Sequence, residues 1–437
     1  MAKSFSKTQL LVAFILVSCG TGFANSSIPG AASPVPIALV GGTIYPVTSP
    51  PIFEGVMVIS EGRIVSLGKQ VNIPNEAKVI DVTGQSIYPG LFNTDGLIGL
   101  MEVNSVRATR DYSETGRINP NARAEVAVNP DSELIPVTRS GGVLLNLTTP
   151  SGGLVSGTSA VLQMDGWTWE EMTLKAPAGL HVRWPNVRVS SSEGNDDNKA
   201  EKEALEELRK LFDEARAYFE LKESDADAGV DLRLEAVKPV LDREIPLVVS
   251  ADRAMQIQAA VAFAAEQSVR LIIYGGYDAE ACAVLLKEHQ VPVVISGVHR
   301  LPLRRGEAYD TPFTLPNRLR LAGIDYCLAA SDRFDGPNVR NLPHQAGHAV
   351  AFGLPRLEAL KAITIYPAEI FGIADRVGSL EVGKDATLII TDGDPLETAT
   401  RVEAAFVQGR PVDLSDKHKI LWKKYRERLR RHGFVGE

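Results

Sequence analysis

The chain is poor in cysteine. Three occur in 437 residues, at Cys19, Cys282 and Cys327. Cys282 and Cys327 each sit in an apolar run and read as buried free thiols, and no disulfide between them is deducible from sequence. An excess of positive charge is also absent. The formal net charge is −8, which argues against a nucleic-acid partner. Near the N-terminus the apolar run is only Leu10–Val17, too short to span a bilayer comfortably. Gly152-Gly153 lacks the lysine and the serine or threonine that a phosphate loop needs. What remains is an ordinary globular composition, 44% hydrophobic and 23% charged, long enough for a barrel with a satellite domain.

Residues 1–24 read as an export signal. Lys3 and Lys7 form a positive segment before the apolar run. Two endings are open. Gly22-Phe-Ala24 is a small-x-small cleavage site, and Leu16-Val-Ser-Cys19 resembles a bacterial lipobox that would make Cys19 a lipid anchor. Either ending implies an exported protein, in the periplasm or as an outer-membrane lipoprotein. Residues 25–36 are rich in Ser, Pro, Gly and Ala and read as a flexible leader.

From Ile37 to Gly90 the chain is strand-rich. Gly55–Ser60 and Arg63–Leu67 flank Glu61-Gly62, a tight hairpin signal. Such a set needs more strands to bury its second face. Ala386–Thr391 and Val402–Gln408 supply them, so residues 37–90 and 374–412 are expected to form one composite β-sandwich domain. Between them, 91–373 spans about 280 residues, close to the ~250 of a (β/α)8 barrel. Short apolar runs at Gly142–Leu147, Pro246–Ser250, Arg270–Tyr274, Val291–Ile295 and Ile324–Ala329 are candidate barrel strands. Helical patterns at Met255–Gln267 and Ala279–His289 separate the later ones, which predicts a parallel sheet. The fold class is therefore α/β, a TIM-like barrel inserted in a domain built from both termini.

Other stretches decorate this plan. Asn104–Pro136 reads as a long polar loop. Ser190–Asn198 is a second one, leading into a charged helix over Lys199–Lys222 with one apolar stripe. Trp167 and Trp169 read as core anchors or as an aromatic platform. The tail 413–437 predicts a basic helix capped by Ser415, with Leu421, Trp422, Tyr425 and Leu429 on one face. That face either docks on the body or meets a membrane or partner.

Three stretches carry a resemblance: Ser60–Gly68 with Val79–Gly84 and Tyr88-Pro-Gly-Leu91; Ala359–Gly372; and Val377–Ala386 running on to Thr391–Leu396. They resemble the amidohydrolase superfamily, in its imidazolonepropionase-related, exported branch. The resemblance implies metal-dependent hydrolysis of non-peptide C–N bonds in small or cyclic amides. A divalent ion there lowers the pKa of bound water and polarises the carbonyl.

The family's ligand positions are only partly kept. Its first-strand histidines fall on Asp95 and Leu97, its strand-five histidine on Ser250, and its strand-six histidine near Gly275-Gly276. The strand-eight aspartate matches Asp332, implied as metal ligand and base. No bridging lysine can be placed. Asp95, Ser250 and Asp332 would make an oxygen-rich set better suited to Mg²⁺ or Ca²⁺ than to Zn²⁺. Arg300, Arg304 and Arg305 follow strand seven, and Arg107, Arg110 and Asp111 follow strand one. They are candidates for binding a substrate acid group, or ordinary loop charges. His344 and His348, four apart on one helix, suit a metal by spacing, yet their helix pattern suggests packing. Two functions stay open: an exported hydrolase with a reduced metal site, and a catalytically inactive relative that binds a small ligand or a partner. Self-association into a homo-oligomer is open too.

Overall fold

The computed structural model describes residues 28–185, 196–225, 229–330 and 336–434. The export signal with Cys19, most of the loop Ser190–Asn198, and Asp332 lie outside the described residues.

Two eight-stranded sheets organise the described residues. The first holds β1 (Ile37–Ile44), β2 (Ile52–Ser60), β3 (Arg63–Gly68), β4 (Lys78–Asp81) and β5 (Ser86–Pro89) from the N-terminal side. Glu61 and Gly62 both have positive φ, 49° and 81°, which the tight β2–β3 hairpin requires. The second sheet is the barrel: β6 (Leu91–Gly96), β7 (Val143–Thr148), β8 (Val155–Gln163), β9 (Thr173–Arg183), β10 (Leu247–Ala251), β11 (Leu271–Gly275), β12 (Val293–Ile295) and β13 (Tyr326–Leu328). The first sheet is completed by β14 (Leu388–Thr391), β15 (Val402–Val407) and β16 (Arg410–Pro411). β14 pairs antiparallel with β5, so strands from both ends of the chain share one sheet. Leu39, Met57, Ile87, Leu388 and Phe406 are among its core.

The barrel departs from all-parallel order in one place. β8 runs antiparallel to both β7 and β9. Only residues 149–154 join β7 to β8. A parallel neighbour needs a crossover of a dozen or more residues, so this short link forces a reversal. The remaining pairs, β6–β7 and β9 through β13, are parallel.

The lumen is filled with side chains. Phe92, Leu145, Leu147, Val161, Val248, Ile272, Val294 and Cys327 form one buried cluster with Phe371. Alternate residues such as Leu144, Val249 and Ile273 face an outer cluster under the helices. There the stripe of the helix Asp196–Ser224 lands with Leu208, Leu211, Phe212 and Ala215 buried. Cys282 and Cys327 are buried free thiols.

Four local expectations are corrected. The leader is pinned where it is described, because Gly30 N donates to Asp165 Oδ2 at 3.1 Å. The C-terminal helix Lys417–Arg431 is capped by Asp416, which accepts from His418 N and Lys419 N, while Ser415 is bonded to Asp413 instead. Its aromatic face is not docked: Trp422 is 59% and Tyr425 50% exposed. Trp167 is also exposed, since it sits in the turn just before the cap Thr168, and only Trp169 packs against the core.

Candidate functional site

The C-terminal ends of β6 and β10–β13 meet at one mouth of the barrel. At β6 the polar run Asn93-Thr94-Asp95 is buried. Asn93 Nδ2 donates to Asn146 Oδ1 and to Asp95 O, both at 2.7 Å, and its Oδ1 accepts from Ala330 N at 2.8 Å. Thr94 Oγ1 donates to Leu328 O at 3.2 Å. The bonds to Leu328 and Ala330 join β6 to β13 and the segment just after it, and so draw the barrel closed. Asp95 is 3% exposed. Leu97 is fully buried in the outer apolar cluster with Ile98 and Leu134.

On β10, Ser250 alternates with Val248 and therefore shares the lumen face. Two residues on, Asp252 continues that face past the strand end. Its carboxylate faces Arg300, whose Nη2 lies 3.3 Å from Oδ2 and Nη1 3.4 Å from Oδ1. Arg300 Nη1 also donates to Ser296 Oγ at 3.1 Å, and the guanidinium stacks 5.2 Å from the Tyr277 ring centre. Gly275 has φ +102°, and a Cβ there would lie 2.8 Å from Asp252 Oδ1.

A second layer of charge lies outside the first. Tyr277 OH donates to Glu307 Oε2 at 2.6 Å. Arg304 bridges Asp278 (Nη1–Oδ1 3.0 Å, Nη2–Oδ2 2.5 Å) and Glu307 (Nη1–Oε1 2.5 Å). The hydroxyl of Tyr277, then Arg304, hold the Glu307 carboxyl down to about 2. Asp278, then Glu307, in turn raise the Arg304 guanidinium. Arg300 and Arg304 therefore face internal carboxylates. Arg305, Arg107 and Asp111 are exposed and Arg110 is half-buried. Arg110 and Arg305 make no ion pair among the described residues.

Three histidines gather beside this network. His299 Nε2 lies 2.6 Å from His348 Nδ1, which is 3.0 Å from His344 O. Burial, then the neighbouring imidazoles, push His299 and His344 below the ordinary histidine value. The backbone N–H groups of Val298 and His299 both donate to Gln345 Oε1. Gln345, at the place where a zinc protease would carry its glutamate, thus fixes the loop after β12.

The described donor set does not fit a divalent ion. Leu97 and Gly275 offer no side-chain ligand, and Asp252 fills the space beside Gly275. Among the described residues no three His, Cys, Asp or Glu side chains are grouped as an ion would need. Sequence reasoning pointed to Ser250 and Arg300 but missed Asp252, Tyr277 and Glu307. The signal for Asp252 was its place two residues beyond Ser250 on the same strand face.

Comparison with known proteins agrees with this architecture. Residues 322–414 match the amidohydrolase family. The chain is 22% identical over 414 residues to amidohydrolase tasK of Hapsidospora irregularis, covering 83% of this chain and 41% of that protein. It is 42% identical over 55 residues to an imidazolonepropionase of Sphingopyxis alaskensis, 12% of this chain and 14% of that one. The chain thus spans about two fifths of the first curated relative and far less of the second. Among solved structures, an amidohydrolase from Thermotoga maritima aligns with TM-score 0.76 and 27% identity, covering 86% of this chain and 99% of that chain. An adenosine deaminase from Xanthomonas campestris with bound zinc aligns with TM-score 0.52 and 15% identity over 92% of this chain and 100% of that one, a likeness of fold alone. Residues 322–414 thus resemble the amidohydrolase family, and the barrel with its β domain resembles the fold of the Thermotoga maritima amidohydrolase.

Proposed function

We propose that the chain is an exported hydrolase of non-peptide C–N bonds in small or cyclic amides, related to the imidazolonepropionases and working from the C-terminal mouth of the barrel. The observation that supports it is the whole-chain likeness to the Thermotoga maritima amidohydrolase at 27% identity. Superfamily members usually hold divalent metals. In this chain the usual imidazole places are lost, so the polar work falls to other groups. Asp332, following β13, is the base for the attacking water. Asp95 supplies a second carboxylate at the end of β6. A substrate acid group is drawn to Arg305 and Arg110, which carry no internal partner among the described residues.

A second reading has its own support. Leu97 in the apolar core and Asp252 against Gly275 favour a catalytically silent relative that binds a small ligand at the same mouth. One experiment separates the two. The purified protein is assayed on N-acyl amino acids, dipeptides and cyclic amides, by product release and by thermal shift. Turnover lost in Asp332→Asn supports the hydrolase. Stabilisation without turnover supports the binder, and neither response removes both. Export is tested by the mass of the mature N-terminus, which distinguishes cleavage after Ala24 from lipidation at Cys19.

A further inference from the structure

A cavity of about 840 Å³ opens at the N-terminal ends of β10–β13, the end of the barrel away from the mouth described above. That volume suits a small-molecule site. In this wall stands Tyr326, first residue of β13. It is 3% exposed, yet its hydroxyl has no hydrogen-bond partner among the described residues. Buried hydroxyls are nearly always satisfied, so this one is a donor awaiting an acceptor.

Exposed charges that make no ion pair with one another surround it. Arg243 and Arg270 line the cavity, and neither guanidinium makes an ion pair or hydrogen bond among the described residues. The same holds for the carboxylates of Asp325 and Glu369. Burial, then Asp325, hold the Glu369 carboxyl above its ordinary value, so the two acids share one space. Tyr366 stands edge-on to Tyr326, centroids 6.1 Å apart, and donates to Glu358 Oε2 at 2.7 Å. The helices Ala254–Glu266 and Thr311–Ala322 end at this rim. Their C-terminal carbonyls add negative potential, which favours a cation.

Acids and arginines that line one cavity without pairing with each other are matched by a ligand carrying both signs. We propose that this cavity binds a small zwitterion, a free amino acid or a dipeptide. Its ammonium lies between Asp325 and Glu369, since Glu358 is already paired with Lys361 and Tyr366. Its carboxylate takes the forks of Arg243 and Arg270, and the Tyr326 hydroxyl donates to it. The ligand is not the substrate of the C-terminal mouth, because the barrel and its packed lumen separate the two ends. The N-terminal face of such barrels is ordinarily structural, so occupancy here serves sensing or regulation rather than turnover.

The test is calorimetry on the full chain with the free amino acids and glycyl dipeptides as probes. N-acetylglycine, lacking the ammonium, and glycinamide, lacking the carboxylate, are the half-ligands. At least one zwitterion is expected to saturate a single site. Tyr326→Phe and Arg270→Ala are each expected to weaken it about tenfold or more, about 1.4 kcal/mol. Both half-ligands are expected to bind correspondingly more weakly. Tyr326→Phe removes only the hydroxyl, so its unliganded melting temperature stays the same or rises, which separates lost binding from lost folding. Three results would overturn the proposal: no probe binding at millimolar concentration, half-ligands binding as well as zwitterions, or binding that survives both variants and is lost instead in Ser250→Ala.

Discussion

The Asp252 carboxylate occupies the space that a side chain on Gly275 would enter, its Oδ1 only 2.8 Å from an ideal Cβ there. Gly275 also holds φ +102°, a conformation that side-chain-bearing residues rarely adopt. A histidine at this place therefore meets both a packed carboxylate and an unfavourable backbone. Gly275→His is expected to destabilise the fold by roughly 1–3 kcal/mol and to create no zinc site. Thermal melting and metal analysis of the variant check both parts. A stable Gly275→His protein with stoichiometric zinc would contradict this account of the strand end.

The Glu307 bridge gives the mouth an acid limit. Its carboxyl is held from an ordinary 4.5 down to about 2 by Tyr277 and Arg304. A depressed carboxyl stabilises the fold above its unfolded value, and that contribution disappears as pH falls toward the folded one. Glu307→Gln is expected to cost about 1 kcal/mol at pH 7, small because Arg304 is half in solvent. The difference in melting temperature between wild type and variant should shrink from pH 4.5 to 2.5. A constant difference would show that the bridge contributes packing rather than charge.

The histidine group acts at milder pH. His299 and His344 sit below the ordinary 6.5, so the folded state takes up protons later than the unfolded one. Stability therefore falls as pH drops through 6.5, by a few tenths of a kcal/mol, since His299 and His348 are solvent-exposed. His299→Gln should flatten the melting profile between pH 7 and 5. A profile of unchanged slope would assign that pH dependence elsewhere.

Asp165 joins three parts of the chain. It lies 2.8 Å from Arg139 Nη1 and 3.4 Å from Arg410 Nη2, and accepts from Gly30 N. Arg139 and Asp165 are almost wholly buried. Removing one partner of such a pair strands the other's charge, so Asp165→Ala is expected to cost about 3–5 kcal/mol by denaturant unfolding. Replacing Asp165 and Arg139 together with apolar residues should cost much less.

The periodic elements were readable because their signals are local. Glu61-Gly62 announces its hairpin, and the runs at 246–250 and 270–274 lie within one residue of β10 and β11. The reversal of β8 was hidden because its cause is the length of a link, and Val155–Gln163 itself carries no mark of direction. Ser415 and Asp416 are both good caps, and only the competing bond to Asp413 decides between them. At the candidate site, the resemblance singled out Leu97 and Gly275 as a gap. What fills the gap was not legible: Asp252 meets Arg300 across 48 residues, and His299 meets His348 across 49. Such pairings depend on how the loops after β10, β12 and β13 converge, which no spacing encodes.

The pairing of β5 with β14 has a consequence for synthesis. Ser86 finds Thr391 only after another 305 residues have been made. At ordinary translation rates of ~5–20 residues per second, that interval is roughly 15–60 s. Throughout it, the edge of β5 presents unpaired backbone groups, a template for wrong pairing. The barrel must emerge and be kept from aggregating before the sheet that brackets it can close. A ribosome-bound chain halted before residue 388 should thus be markedly more prone to aggregation or chaperone capture than one halted after residue 412.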